Sequence, residues 1–244
     1  MKNSNTIKTA TFLFILFISI LATGCYRDNF CINGSGPEVE VGRNLVSFTG
    51  VDLSIDATVN LHIDPVCRIV MTGQQNILNV LTTEVHGNVL KLGFSHNVRS
   101  HTPITIDIYA PYYTYTGISG SGNIQNSTGW NCSSFEAKIS GSGNISISGL
   151  QTSGVESTIS GSGAITLDGN CTSLTSRISG SGDLHAFGLI GNTGDISVSG
   201  SGKNELNLMQ SISVNISGSG DVYYKNNPVL NVNISGSGHM HHVQ

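Results

Sequence analysis

The sequence predicts an all-β protein wound as a parallel β-helix, a solenoid, and three observations carry that expectation. The quartet Ser-Gly-Ser-Gly recurs seven times, beginning at Ser119, Ser140, Ser160, Ser179, Ser199, Ser217 and Ser235, at intervals of 18–21 residues. The residue before each quartet is always β-branched: Ile118, Ile139, Ile159, Ile178, Val198, Ile216 and Ile234. Two residues after each quartet comes Ile124, Ile145, Ile165, Leu184, Val222 or Met240, with the fifth copy departing at Asn204. Flexible Gly/Ser linkers have no fixed apolar flanks, and collagen would need glycine at every third position.

Taken in order, the chain opens with Lys2 and Lys8 and an apolar run from Ala10 to Ala22. That run is shorter than the ~20 apolar residues of a membrane span, so residues 1–24 read as a signal peptide. Its ending, Leu21-Ala22-Thr23-Gly24-Cys25, resembles a bacterial lipobox, although Ala22 stands where that pattern usually has Leu. Lipidation of Cys25 is the expectation, with plain secretion and an uncleaved anchor as alternatives. Tyr26 would follow the anchored cysteine, which points to the outer membrane of the cell envelope. Residues 25–38 then read as lipid anchor and tether.

Residues 39–115 form a less regular β half. Strands are expected at 44–48, 51–55, 59–63, 68–71, 77–81, 89–94 and 103–109, separated by Gly, Asp, Asn and Pro signals, with no segment long enough for an amphipathic helix. Residues 116–244 form the regular half. Positions two before each β-branched flank (Thr116, Ala137, Ser157, Ser176, Ile196, Val214 and Val232) share its face, whereas Lys138, Arg177, Asn215 and Asn233 point the other way. A hairpin meander would show two alternating turn motifs; one recurring motif favours a coil with the quartet at its corner and glycine relieving backbone strain there. Both halves are expected to share one core. Cys132 and Cys171 each lie eight residues before a quartet, with Thr152 at the same place between them. Their separation of two coils, about 9–10 Å, exceeds disulfide reach.

Composition narrows function. With 11 Lys plus Arg against 15 Asp plus Glu the net charge is -4, which excludes a basic nucleic-acid binder, and 38% apolar residues suffice for a core. The order of several segments resembles the bacterial head GIN domain family of auto-transporter adhesins: Val46 to Ile55, Leu81 to Leu92, the SGSG series, and Gly218 to Pro228 followed by Ser235 to Gly238. The resemblance implies a right-handed parallel β-helix and export as a lipoprotein, and it carries over no catalytic residue.

The candidate sites are few. Tyr109, Tyr112, Tyr113 and Tyr115 could stack on sugar rings or meet a protein partner. His239, His241 and His242 are weak metal candidates, because on a strand His242 would point away from the other two. Asp183 and Asp221 take the same place after their quartets, two repeats apart with Lys203 between, marginal for a glycosidase pair. No GxSxG elbow, HExxH or phosphate loop appears, and no cofactor is expected. The expectation is an envelope-anchored, noncatalytic scaffold that presents an adhesin-like binding surface to a glycan or envelope protein. A polysaccharide-acting enzyme or a purely structural assembly protein is the alternative.

Overall fold

The computed structural model describes residues 31–244; the expected signal peptide and Cys25 lie outside the described residues. The first half contains β1 (Ile32–Asn33), β2 (Glu38–Asn44), β3 (Gly50–Leu53), β4 (Thr58–Ile63), β5 (Arg68–Gln74), the helical turn α1 (Gln75–Leu78), β6 (Leu81–His86), β7 (Val89–Phe94), β8 (Val98–Ser100) and β9 (Thr105–Ala110). The second half runs through β10 (Tyr115–Ile118), β11 (Asn123–Asn126), β12 (Asn131–Ile139), β13 (Asn144–Ile159), β14 (Ala164–Asn170), β15 (Ser173–Ile178), β16 (Asp183–Val198), β17 (Lys203–Gly218), β18 (Asp221–Lys225), β19 (Val229–Gly236) and β20 (Met240–His242).

This is an all-β solenoid. Segments that precede the quartets pair in parallel, β3 with β10, β10 with β12, and onward through the second parts of β13, β16 and β17 to β19. Segments that follow the quartets build a second parallel ladder, from β4 through β11, β13 and β14 to β18 and β20. Each quartet therefore joins one ladder to the other. Consecutive quartets bond through the backbone: Ser142 N donates to Gly120 O at 3.1 Å, Ser162 N to Gly141 O at 3.1 Å and Ser181 N to Gly161 O at 3.0 Å.

The physical need for glycine in the quartets is crowding between coils. A Cβ on Gly161 would strike the carbonyl of Gly141, and one on Gly163 would strike both the carbonyl of Gly143 and the Cγ2 of Ile139. A positive φ applies within the quartets only at Gly200, Gly218 and Gly236.

The alternation holds. Thr116, Ala137, Ser157, Ser176, Ile196 and Val214 are buried beside Ile118, Ile139, Ile159, Ile178, Val198 and Ile216, while Lys138, Arg177 and Asn215 are exposed. One apolar cluster extends from Phe48 to Val222, so both halves share a core as the sequence predicts. Removing this β-branched surface from water supplies the main driving force for winding. Cys132 sits opposite Thr152, and Gln151 opposite Asn170, which places Cys171 one coil further on, in the predicted register.

The first half departs from simple winding. Residues 50–63 form a coil in which Ser54-Ile55-Asp56-Ala57 takes the quartet's place, since Leu53 pairs with Ile118 and Thr58 with Asn123. That coil lies between β10 and β11 on one side and β7 and β9 on the other. Antiparallel strands then close this end: β5 on β9, β2 on β5, and β6 on β7. Two expected strands are corrected. Residues 45–48 are not a strand, because β2 ends at Asn44 and Phe48 turns into the core. Ile77 and Leu78 belong to α1, whose single turn buries both side chains against the cap. Within the expected tether, Ile32 pairs beside Val98, and Ser35 N donates to Asn76 Oδ1 at 3.0 Å, so the described part of that segment lies against the body.

Candidate binding face

The outward face of the first ladder carries the most site-like arrangement among the described residues. Register places Tyr115, Glu136, Glu156 and Thr175 side by side on successive coils. Small residues, Ser134, Gly154 and Ser173, lie next to them along the strands and leave a groove of about 450 Å³. Tyr115 forms its wall. The ring lies along its own strand above Gly117, where any Cβ would collide with the phenol, and its base abuts Gly50. Burial first, then the carboxylates of Asp52 and Glu136, push the Tyr115 hydroxyl up to about 12, so it remains a neutral donor at physiological pH. Glu156 forms an ion pair with Arg177. The groove thus offers carboxylate acceptors, hydroxyls and an aromatic edge on a rigid sheet, a set suited to hydrogen-bonding a polyhydroxylated or polar ligand.

The four tyrosines expected as a cluster separate. Tyr113 is fully buried, donating from its hydroxyl to Ile108 O at 2.8 Å and packing edge-on against Trp130, which packs in turn on Phe135. Trp130 Nε1 donates to Tyr113 O at 2.7 Å. This aromatic plug fills the core near the junction of the two halves. Tyr109 is sandwiched between the His62 ring, 4.6 Å away, and the Arg68 guanidinium, 3.7 Å from its centre. Arg68 also pairs with Asp64 at 2.7 Å and holds that carboxyl below its usual range. Tyr112 is exposed.

On the second ladder, His239 and His241 share the outward face, 6.0 Å apart between ring centres, each near Asp221 Oδ1 at 3.7 and 3.8 Å. His242 takes the other face, against Tyr224, as the alternation predicts. Among the described residues no three His, Cys, Asp or Glu side chains converge on a metal position. Lys203 stands in register between Asp183 and Asp221, and it pairs with Glu205, which also meets His185 at 2.8 Å. Burial opposes ionisation of Glu205, but Lys203 and His185 outweigh it and hold the carboxyl below the ordinary glutamate range.

Sequence reading missed the groove, although its signal is present: Tyr115, Glu136, Glu156 and Thr175 precede their quartets by four residues each.

The model of the family described as "Putative auto-transporter adhesin, head GIN domain" matches residues 47–228. The chain belongs to this family. Solved structures similar to this head GIN domain chain include one described as a putative adhesin from Bacteroides fragilis, with a TM-score of 0.80 at 21% identity, covering 87% of this chain and all of that one. Another, from Parabacteroides merdae and also described as a putative adhesin, has a TM-score of 0.71 at 18% identity and covers 88% of this chain and 100% of that one. A third, described as a putative lipid binding protein from Parabacteroides distasonis, has a TM-score of 0.72 at 21% identity, with 87% and 99% coverage. At these identities the likeness concerns the fold. No curated protein matches the chain.

Proposed function

We propose that this head GIN domain protein is an envelope-anchored, noncatalytic β-solenoid whose first ladder presents a recognition face for a glycan or a polar protein segment. The observation that carries the reading is the in-register row of Tyr115, Glu136, Glu156 and Thr175 beside its groove. A row repeated at the coil spacing, about 4.8 Å, matches a ligand that is itself extended. Tyr112 lies outside the groove and is a second candidate contact. The two carboxylates stand in one row on an open face, so they do not oppose each other across a bond as glycosidase chemistry requires. Descriptions of similar folds as adhesins favour the same reading.

The anchored state rests on the sequence expectation of a lipidated Cys25 after removal of residues 1–24, and right-handed winding with the quartets at the corners follows the usual chirality of parallel crossovers. Membrane-fraction mass spectrometry that finds Cys25 unmodified or residues 1–24 retained would overturn the anchor. For recognition, the segment 26–244 is to be applied to an array of envelope and host glycans, with heat-unfolded protein as the control. Binding that follows one glycan class and drops at least about tenfold in Glu136→Gln/Glu156→Gln, with melting unchanged, is the expected result. Equal binding by parent and double variant would remove the groove from the proposal, and silence across the array would leave only its protein-segment form.

A further inference from the structure

The last strand of the first ladder differs from the strands before it. β19 stands in register with β17, so Leu230, Val232 and Ile234 continue the columns of Ile212, Val214 and Ile216. The latter are buried, whereas Leu230, Val232 and Ile234 are 39%, 40% and 39% exposed. Main-chain groups are open there too. Outward residues turn their amides back to the preceding coil, as Glu136 N does to Thr114 O at 2.9 Å, and inward residues turn theirs forward, as Val222 N does to His239 O at 2.9 Å. The N–H and C=O groups of Leu230, Val232 and Ile234 therefore point out of the end of the solenoid, and among the described residues no strand accepts them.

The strand itself indicates the partner. Leu230-Asn231-Val232-Asn233-Ile234 has the same polarity pattern in both directions about Val232. Antiparallel pairing of two copies around a two-fold at Val232 sets Val232 against Val232, Leu230 against Ile234 and Asn231 against Asn233, with apolar faces continuous and open amides matched. Residues 229–238 contain no charge to resist this. The opposite end is protected: its outer strand β2 carries Glu38, Glu40 and Arg43, the two glutamates exposed, which disfavours head-to-tail stacking.

We infer that two copies of this chain join end to end through antiparallel pairing of β19 about Val232. This stands apart from recognition by the groove.

The test is analytical ultracentrifugation of the full chain in mild detergent over a concentration series, beside Val232→Lys and Val232→Glu variants. The expected result is a dimer for the parent, association weakened on the order of a hundredfold in either variant, and a dimer restored on mixing the two, because position 232 faces itself. Amide exchange of residues 229–236 in the parent slows with concentration and gives a readout that requires no variant. A parent that stays monomeric, a Val232→Lys protein that dimerises as well as the parent, a mixture that does not reassociate, or exchange independent of concentration would each overturn the inference. A monomer whose β19 amides are already protected would overturn it as well.

Discussion

Ile159 lies wholly buried between Ile139 and Ile178 in the column that precedes the quartets. Its replacement by Ala removes contacts to both neighbouring coils and is expected to cost about 2–5 kcal/mol in denaturant unfolding. Glycine positions separate by what lies above them. Gly161→Ala forces a methyl into the Gly141 carbonyl and is expected to destabilise by about 2–3 kcal/mol, whereas Gly154→Ala meets nothing closer than Ser173 Oγ at 3.5 Å and is expected to change stability by less than about 0.5 kcal/mol. Urea midpoints of the two variants check this contrast; equal losses would show that crowding is not the reason for glycine in the quartets. Burial pushes the Cys171 thiol up to about 11, so at pH 8 it should resist alkylation in the folded protein and react once guanidinium unfolds it.

At the scale of elements, two polar arrangements interrupt the apolar logic. Asn204 on β17 is fully buried where other coils place Leu184 or Val222, and Ser176 Oγ on β15 donates to its Oδ1 at 2.7 Å. Ser176→Ala alone strands Asn204 Oδ1 and is expected to cost about 1–2 kcal/mol, while Ser176→Ala with Asn204→Val restores the column and is expected to match or exceed parental stability. A double-mutant cycle by thermal unfolding measures the coupling, and simple additivity would contradict the account. Between β16 and β17, Glu205 bridges His185 and Lys203 with its side chain only 16% exposed. Folding lowers this carboxyl's proton affinity, so its stabilisation is complete above the unfolded value near 4.5 and fades as pH falls through the lower folded value. Glu205→Gln should therefore lower stability at pH 7 by about 1 kcal/mol, and the deficit should be smaller at pH 3. A melting difference that is the same at both pH values would rule this out.

For the whole molecule, the two ends are unequal. The antiparallel cap covers the coil at residues 89–110, whereas among the described residues the coil of β19 and β20 meets only the one before it. Nearest-neighbour stacking predicts that truncation after Pro228 leaves a folded body with a modestly lower melting temperature, because each coil's removal exposes an equivalent next coil. Deleting residues 64–110 instead strips β7 from β3 and β9 from β4 and opens Leu53, Val59 and Leu61 to solvent, and the product is expected to aggregate. Circular dichroism with light scattering distinguishes the two deletions; aggregation of the C-terminal truncation would show that the coils are not equivalent.

The sequence by itself determined the solenoid of the second half, its alternation, the register of Cys132 and Thr152, and the opposite faces of His241 and His242. Those properties follow from a period of two within strands and a fixed interval between quartets, both of which are local in the chain. Tertiary structure alone decided the rest. Tyr113 reads like its neighbours, yet it lies in the core because Trp130 and Phe135 arrive from the next coil. The β3–β4 coil sits between partners that begin 39 and 65 residues further along the chain, a pairing no local period encodes. The groove likewise exists only once winding brings Tyr115, Glu136, Glu156 and Thr175 into one row, because pairing across coils sets what lies beside a residue.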